Sequence, residues 1–370
     1  PSVDRDLIAA ARDAGCPVIV VDDGRGSRNW HGLGAAATLP PSFDREQLLD
    51  ALLAHAAMVG TGDEPAAADG WEVARGDRLG RVVVVCGPGG TGASTLAIAV
   101  AQQIAGDPRG EGPVLLADLA LRAEQALLHD ARDIVPGVQE LLEAHRGRYP
   151  APEEVGGLTF DVGGRGYRLL LGLRRSRYWS TVRPRAFEAA FETLRRTYGT
   201  VVCDVTADFE GEDEGGSLDV EERNVMARTA ALRADAVVAV GMPGVKGLHA
   251  LVRLLGELMD LGVPAARIVP VVNQAPRNPK ARAEMAAALA QLTALPGDAA
   301  ADLASPVFVP RRRVDAAVRD GAAIPAPLGP LLAGAVRAVY RRSARRGGVA
   351  TPAPVPVAPG TLGTWTEDEQ

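Results

Sequence analysis

One continuous segment constrains this chain more than any other. The apolar run Val82-Val83-Val84-Val85-Cys86 is followed by Gly87-Pro88-Gly89-Gly90-Thr91-Gly92-Ala93-Ser94-Thr95, and then by Leu96-Ala97-Ile98-Ala99-Val100-Ala101-Gln102-Gln103. β-branched residues in a short apolar run read as a buried strand, the glycines as a tight loop, and the Leu/Ile/Ala-rich stretch as a helix. Strand, glycine loop and helix in that order turn backbone N–H groups toward an anion, and the helix N-terminus adds partial positive charge. The spacing G-x-x-x-x-G-K-[ST] fits at Gly87, Gly92 and Ser94, but Ala93 stands where the phosphate-contacting lysine belongs. No neighbouring lysine compensates, because the chain's two lysines are Lys246 and Lys280. The same residues also read as a plain strand-to-helix turn capped by Ser94 and Thr95. The full glycine spacing favours the phosphate loop.

Composition narrows the class. With 370 residues, 47% hydrophobic and only 4% aromatic, the chain has material for a large core built on Val, Leu, Ile and Ala. A net charge of −6 argues against wholesale coating of nucleic acid. Cys16, Cys86 and Cys203 show no metal-ligand spacing, and an odd count suits a reducing compartment. Cys86 and Cys203 each lie at or near the end of an apolar run and read as small buried residues. No secretory leader pattern and no apolar stretch near about 18 residues is present, so a cytoplasmic location is expected.

Along the chain, residues 1–58 read as a first αβ unit. Helical spacing over Arg5–Ala14 leads to a strand at Pro17–Val21, then to Leu33–Leu39 and an amphipathic helix from Arg45 to Met58. Residues 59–80 read as a linker rich in Gly, Ala, Pro and acidic side chains. From 81 to 346 strands alternate with helices, which predicts a mostly parallel sheet with helices on both faces. The strand candidates are Val82–Cys86, Val114–Leu119, Tyr167–Leu171, Thr200–Val205, Ala236–Val240, Ile268–Val272 and Val307–Val309. Residues 347–370, with Pro352, Pro354, Pro356 and Pro359 and an acidic end, read as a disordered tail.

Polar residues at strand ends supply further candidates. Asp204 closes Val201-Val202-Cys203, and downstream of a phosphate loop such an aspartate reaches Mg²⁺ directly or through water, with Ser94 as the second candidate ligand. Asp118 ends Val114-Leu115-Leu116-Ala117. Asn273 ends Val271-Val272 and reads either as a contact to an adenine edge or as a turn residue ahead of Pro276.

Together these residues resemble the ParA/MinD superfamily of P-loop ATPases, and within it the CpaE/TadZ branch that includes septum-site-determining-like proteins. The resemblance covers about residues 81–345. It implies the fold known as SIMIBI-type, with ATP or ADP and Mg²⁺ as cofactors. The site it implies consists of Gly87, Gly89, Gly90, Thr91, Gly92, Ala93, Ser94, Thr95, Asn273 and Pro310, with Ser94 and Asp204 on the metal and Asp118 and Asp204 as the catalytic candidates. Both family lysines are absent, replaced by Pro88 and Ala93, and Ala120 stands at the second aspartate of the family's D-x-D. Hydrolysis is therefore expected to be weak or absent. The implied partners are proteins of a Tad-type pilus, secretion or division machine, together with self-dimerisation and recruitment to a pole, the septum or the inner face of the membrane. A working ATPase and a nucleotide-independent scaffold are the rival expectations. The first unit resembles the second half of a response-regulator receiver through Gly34-Ala35, Leu39 and Pro41-Ser42-Phe43, with Pro41 at the switch-lysine position.

Charge clusters complete the picture. The acidic insertion at 208–222 reads as a solvated loop or as a surface for a basic partner. Arg174, Arg175, Arg177, Arg183 and Arg185 surround Tyr178 and Trp179, which reads as an arginine-rich loop or as an anion-contacting surface. The final helix, Leu328 to Arg346, has Leu331, Leu332, Val336 and Val339 on one side. It reads as the closing helix of the fold or as a helix lying on an anionic membrane.

Overall fold

The computed structural model describes residues 8, 11–12, 16–22, 30–31, 34–55, 79–108, 110, 112–145, 150–211, 218–293 and 302–346. The chain divides into two compact units, Pro1–Gly76 and Asp77–Gln370. The stretch read as a linker, apart from Leu79 and Gly80, and the tail from Gly347 both lie outside the described residues. So does the middle of the acidic insertion, residues 212–217.

In the first unit, β1 (Ile19–Val21) pairs in parallel with β2 (Ala37–Leu39), in the register Ile19↔Ala37. Ile8, Val20 and Ala35 form a small core, with Val18 and Trp30 against it. The following helix, Arg45–His55, begins where Asp44 and Gln47 cap each other. Gln47 N donates to Asp44 Oδ1 at 2.8 Å, and Asp44 N donates to Gln47 Oε1 at 3.1 Å, a reciprocal box that satisfies two end donors. This helix buries no residue, against the amphipathic expectation. The described core of the unit closes over Ile8, Val20 and Ala35 and leaves Leu49, Leu52 and Leu53 exposed.

The second unit is built on one eight-stranded sheet. Its strands are β3 (Arg81–Gly87), β4 (Val114–Asp118), β5 (Phe160–Val162), β6 (Tyr167–Leu170), β7 (Thr200–Thr206), β8 (Ala236–Gly241), β9 (Ile268–Ala275) and β10 (Val307–Pro310). They lie in the order β10-β9-β8-β3-β7-β4-β6-β5. Every neighbouring pair is parallel except β5–β6, a short antiparallel hairpin at one edge. The seven strands expected from sequence are all present; β5 was not anticipated, because Phe160-Asp161-Val162 is too short to carry a pattern. β3 sits between β7 and β8, and Val82 through Cys86 are wholly buried, as a strand covered on both faces requires.

Alternate residues of β3 feed two cores. Val82, Val84 and Cys86 face the layer containing the helices Pro184–Thr197 and Val245–Asp260. Val83 and Val85 face the helices Ala93–Ala105 and Leu328–Arg346. Each fully buried valine stabilises the fold by roughly 1.5–3 kcal/mol, an upper bound set against an extended chain. The final helix buries Leu332, Val336 and Val339 in this second core, while Leu331 stays 39% exposed rather than joining them. Its apolar side is thus taken up by packing inside the domain. No helix among the described residues is long and apolar enough to cross a membrane.

Candidate functional site

β3 ends at Gly87 in the middle of the sheet, and the helix Ala93–Ala105 starts after five intervening residues. Gly90 and Gly92 take φ values of 81° and 82°, the left-handed region where a side chain is disfavoured. Gly87 is required by its surroundings instead. A Cβ there would lie 2.6 Å from both Thr91 Oγ1 and the Val240 carbonyl oxygen. Around Gly89 and Gly90 a Cβ would meet nothing within 4 Å, so the loop is open on that side.

Two bonds hold this shape. Thr91 is buried, and its hydroxyl donates to the Pro88 carbonyl at 2.7 Å. Asn273, near the end of β9, donates from Nδ2 to the Thr91 carbonyl at 2.7 Å. Its Oδ1 accepts from Gln274 N at 2.9 Å, a local bond that supports the left-handed φ of 53° at Gln274. Both polar atoms of Asn273 therefore have partners in the chain, one of them on the loop itself. Asn273→Leu should leave the buried Thr91 carbonyl without a donor and lower stability by about 1–3 kcal/mol. Urea unfolding measures this, and an unchanged midpoint would show that the strut is dispensable.

Behind the loop two carboxylates stand side by side. Asp118 closes β4 and Asp204 lies in β7, directly paired across the strands; exposure is 0% and 2%. Asp118 accepts from Gln125 N at 2.8 Å and from Ala120 N at 3.3 Å. Asp204 accepts from the Gln125 side chain at 2.7 Å and is bonded by the Ser94 hydroxyl. Burial pushes both acids above the usual carboxylate range, Asp118 further because the charge of Asp204 adds to it. A proton is thus retained at the pair in the folded state at pH values where the unfolded chain has released it. Its stabilising effect is complete below about pH 4 and is lost as pH rises through neutrality. The urea midpoint should fall between pH 5.5 and 8.5, and Asp204→Asn should shrink that fall. An equal fall in both proteins would contradict the assignment.

Gln125 opens a further chain of bonds. Its carbonyl accepts from His129 Nδ1 at 2.7 Å, so Nδ1 carries the proton and Nε2 is left as an acceptor. Tyr167 OH lies 2.7 Å from that Nε2 and donates to it. Burial pushes His129 down to about 4, which keeps it neutral, and pushes Tyr167 up to about 12. Arg165, 3% exposed, lies beside Tyr167 and donates to the carbonyls of Ala322 and Ala317 at 3.1 Å each. The second of those carbonyls belongs to the helix Asp315–Arg319.

Of the residues expected from sequence, Gly87 to Thr95, Asp118, Asp204 and Asn273 lie at or near the carboxyl ends of interior strands of the sheet. Pro310 ends β10, opposite Ala275 and three strands away from β3. Cys86 and Cys203 are buried as expected, and burial pushes both thiols up. Asp208, in the acidic insertion, is held by Arg223 at 2.7 Å and by Asn224 at 2.7 Å, so that carboxylate is tied into the domain. The arginine-rich run forms a 3₁₀ turn, Ser176–Thr181, where Arg174 pairs with Glu140 and the Arg177 guanidinium lies 5.5 Å from the Tyr178 ring centre. Gln125, His129, Tyr167 and Arg165 had no sequence signal as a set: they are scattered over 43 positions and only the fold brings them together.

No protein-family model matches this chain, and no curated protein matches it. Its fold is found among solved structures. A ParA family ATPase from Chlorobium tepidum aligns with a TM-score of 0.53 at 14% identity, over 70% of this chain and 98% of that one. The second unit thus has the α/β fold of a ParA-type P-loop ATPase, with helices on both faces of a mostly parallel sheet. A plasmid partition protein from Borrelia burgdorferi bound to AMPPNP aligns at TM-score 0.45 and 14% identity, over 71% of this chain and 99% of that one. The septum site-determining protein MinD from Pyrococcus horikoshii, complexed with Mg-ADP, aligns at 0.46 and 17% identity, over 74% and 100%.

Proposed function

We propose that this protein holds ATP or ADP with Mg²⁺ at Gly87–Thr95, weakly, and hydrolyses it at a negligible rate. One observation supports this: the glycine loop is open around Gly89 and Gly90, Ser94 and Asp204 lie together beside it, and position 93 carries a methyl group where the resemblance implies a cation. The residues fit the cofactor. Small glycine backbone leaves room for phosphates, and a hydroxyl beside a carboxylate is a hard-oxygen set of the kind Mg²⁺ takes together with phosphate oxygens.

Bound Mg²⁺ would supply charge neutralisation at the phosphates. The backbone N–H groups of the loop would orient the anion, Ser94 and Asp204 would hold the metal, and Asn273 keeps the Thr91 carbonyl turned away from the phosphates by occupying it. Losing the lysine contact costs on the order of 1.5–3 kcal/mol, roughly tenfold to a few hundredfold in affinity. Transfer of a phosphoryl group needs positioned cations around the γ-phosphate, and Pro88, Ala93 and Ala120 supply none.

The biological role we infer is that of a nucleotide-responsive localisation or assembly factor of ParA/MinD type, of the CpaE/TadZ kind. It would act through protein partners of a pilus, secretion or division machine, with the first unit as a docking module. The sequence motifs support this role, and the likeness of fold supports its ATPase-like core. Calorimetry with ADP and Mg²⁺ tests the site. Saturable heat that is abolished in Gly92→Asp is expected. No heat at millimolar nucleotide, and no effect of Gly92→Asp, would make the loop a relic and the protein a scaffold.

A further inference from the structure

We propose that Gln125 stands in for the cation in the nucleotide-free protein, and that its side chain must swing away from Asp204 before a divalent ion is held there. The proposal takes from the nucleotide reading only the identity of the ion's place, between Ser94 and Asp204. Gln125 is fully buried, and its Nε2 lies 2.7 Å from Asp204 Oδ2 and 3.2 Å from the Ser94 carbonyl. Its two amide hydrogens thus satisfy one carboxylate and one carbonyl oxygen, the oxygen types a hard cation would take.

The rest of the residue is arranged for that movement. The main chain is pinned: Gln125 N donates to Asp118 Oδ2 at 2.8 Å, and its carbonyl accepts from His129 N at 3.0 Å and His129 Nδ1 at 2.7 Å. The Tyr167 hydroxyl holds His129 from behind, so the relay keeps the backbone where it is. The side chain, by contrast, is held only at its donor end. Its Oε1 is buried and has no hydrogen-bond partner, so rotation breaks no acceptor bond there. An orphaned acceptor of this kind calls for an explanation, and a side chain that exchanges its donors for an incoming ion supplies one.

The test uses Mn²⁺ without nucleotide, followed by electron paramagnetic resonance of the free ion, on the intact chain and on Gln125→Leu and Gln125→Asn. Removing or shortening the competitor should tighten Mn²⁺ binding roughly tenfold, the value of a charge-assisted hydrogen bond. Thermal unfolding identifies a variant that fails to fold, and the shorter carboxamide of Gln125→Asn then decides. Binding by the folded variants that is no tighter than wild type, including no binding at all, overturns the proposal and makes Gln125 a plain strut. ADP titrations with Mg²⁺ and with chelator run alongside. If no protein binds ADP while the Mn²⁺ difference persists, the nucleotide reading falls and this one stands.

Discussion

Ala93→Lys should tighten binding of Mg²⁺-nucleotide by about 1–3 kcal/mol, roughly five- to a hundredfold, while phosphate release stays near background. Position 93 opens the helix Ala93–Ala105, immediately after the left-handed Gly92, and Ala93 is buried against the core under that helix, so a lysine there must turn its stem out past Gly92 to reach the phosphates. Its ammonium meets the phosphates as a point charge on a flexible stem and needs no fixed geometry to gain Coulomb energy. Catalysis needs more than that charge. Pro88 and Ala120 still leave positions 88 and 120 without charged side chains, and Asp204 is shared with Ser94 and Gln125. Turnover should therefore require Pro88→Lys and Ala120→Asp in addition. Affinity and phosphate release measured across the series check this. Full activity from the single change would place the deficit at Ala93 alone, and no gain in affinity would show that position 93 does not face the phosphates.

Gly87→Val should cost about 3 kcal/mol of stability and remove nucleotide binding, whereas Gly89→Ala should leave stability close to wild type. At Gly87 the first added carbon already lies 2.6 Å from a backbone oxygen of β8 and from the Thr91 hydroxyl that fixes the loop. A backbone carbonyl in the centre of a sheet cannot step aside, so the strand, the loop or both must shift. At Gly89 the same carbon enters open space, and the only thing displaced is what the loop would bind. Gly89→Ala should thus weaken nucleotide binding with little change in the unfolding midpoint. Unfolding in urea together with nucleotide titration separates the two effects. Equal loss of stability at both positions would mean that the loop's glycines serve packing alone.

The sheet was legible because its strands are long apolar runs whose burial on both faces leaves little choice of residue: β3, β7 and β8 read directly from Val-rich segments. The edge hairpin was not, since three-residue β5 depends on pairing with β6 rather than on its own pattern. The helix Arg45–His55 shows the opposite failure: its leucines suggest a buried side, yet the described core of its unit leaves them exposed. At the site, the loop and Asp204 declared themselves through order along the chain, and Asp118 through its place at a strand end. Asn273 was singled out, but its partner was not: its amide turns to Thr91, a contact 182 residues distant in sequence. Gln125 carries no motif at all, and its part follows only from β4 and β7 bringing Asp118 beside Asp204.

A site that holds nucleotide without hydrolysing it shows both properties in one sample. ATP with Mg²⁺ is titrated calorimetrically into the intact chain while phosphate is measured in the same cell. Saturable heat with a dissociation constant in the micromolar to millimolar range and phosphate at the level of buffer is the expected result. Phosphate release above that level which disappears in Asp204→Ala, or no saturable heat at all, would contradict it.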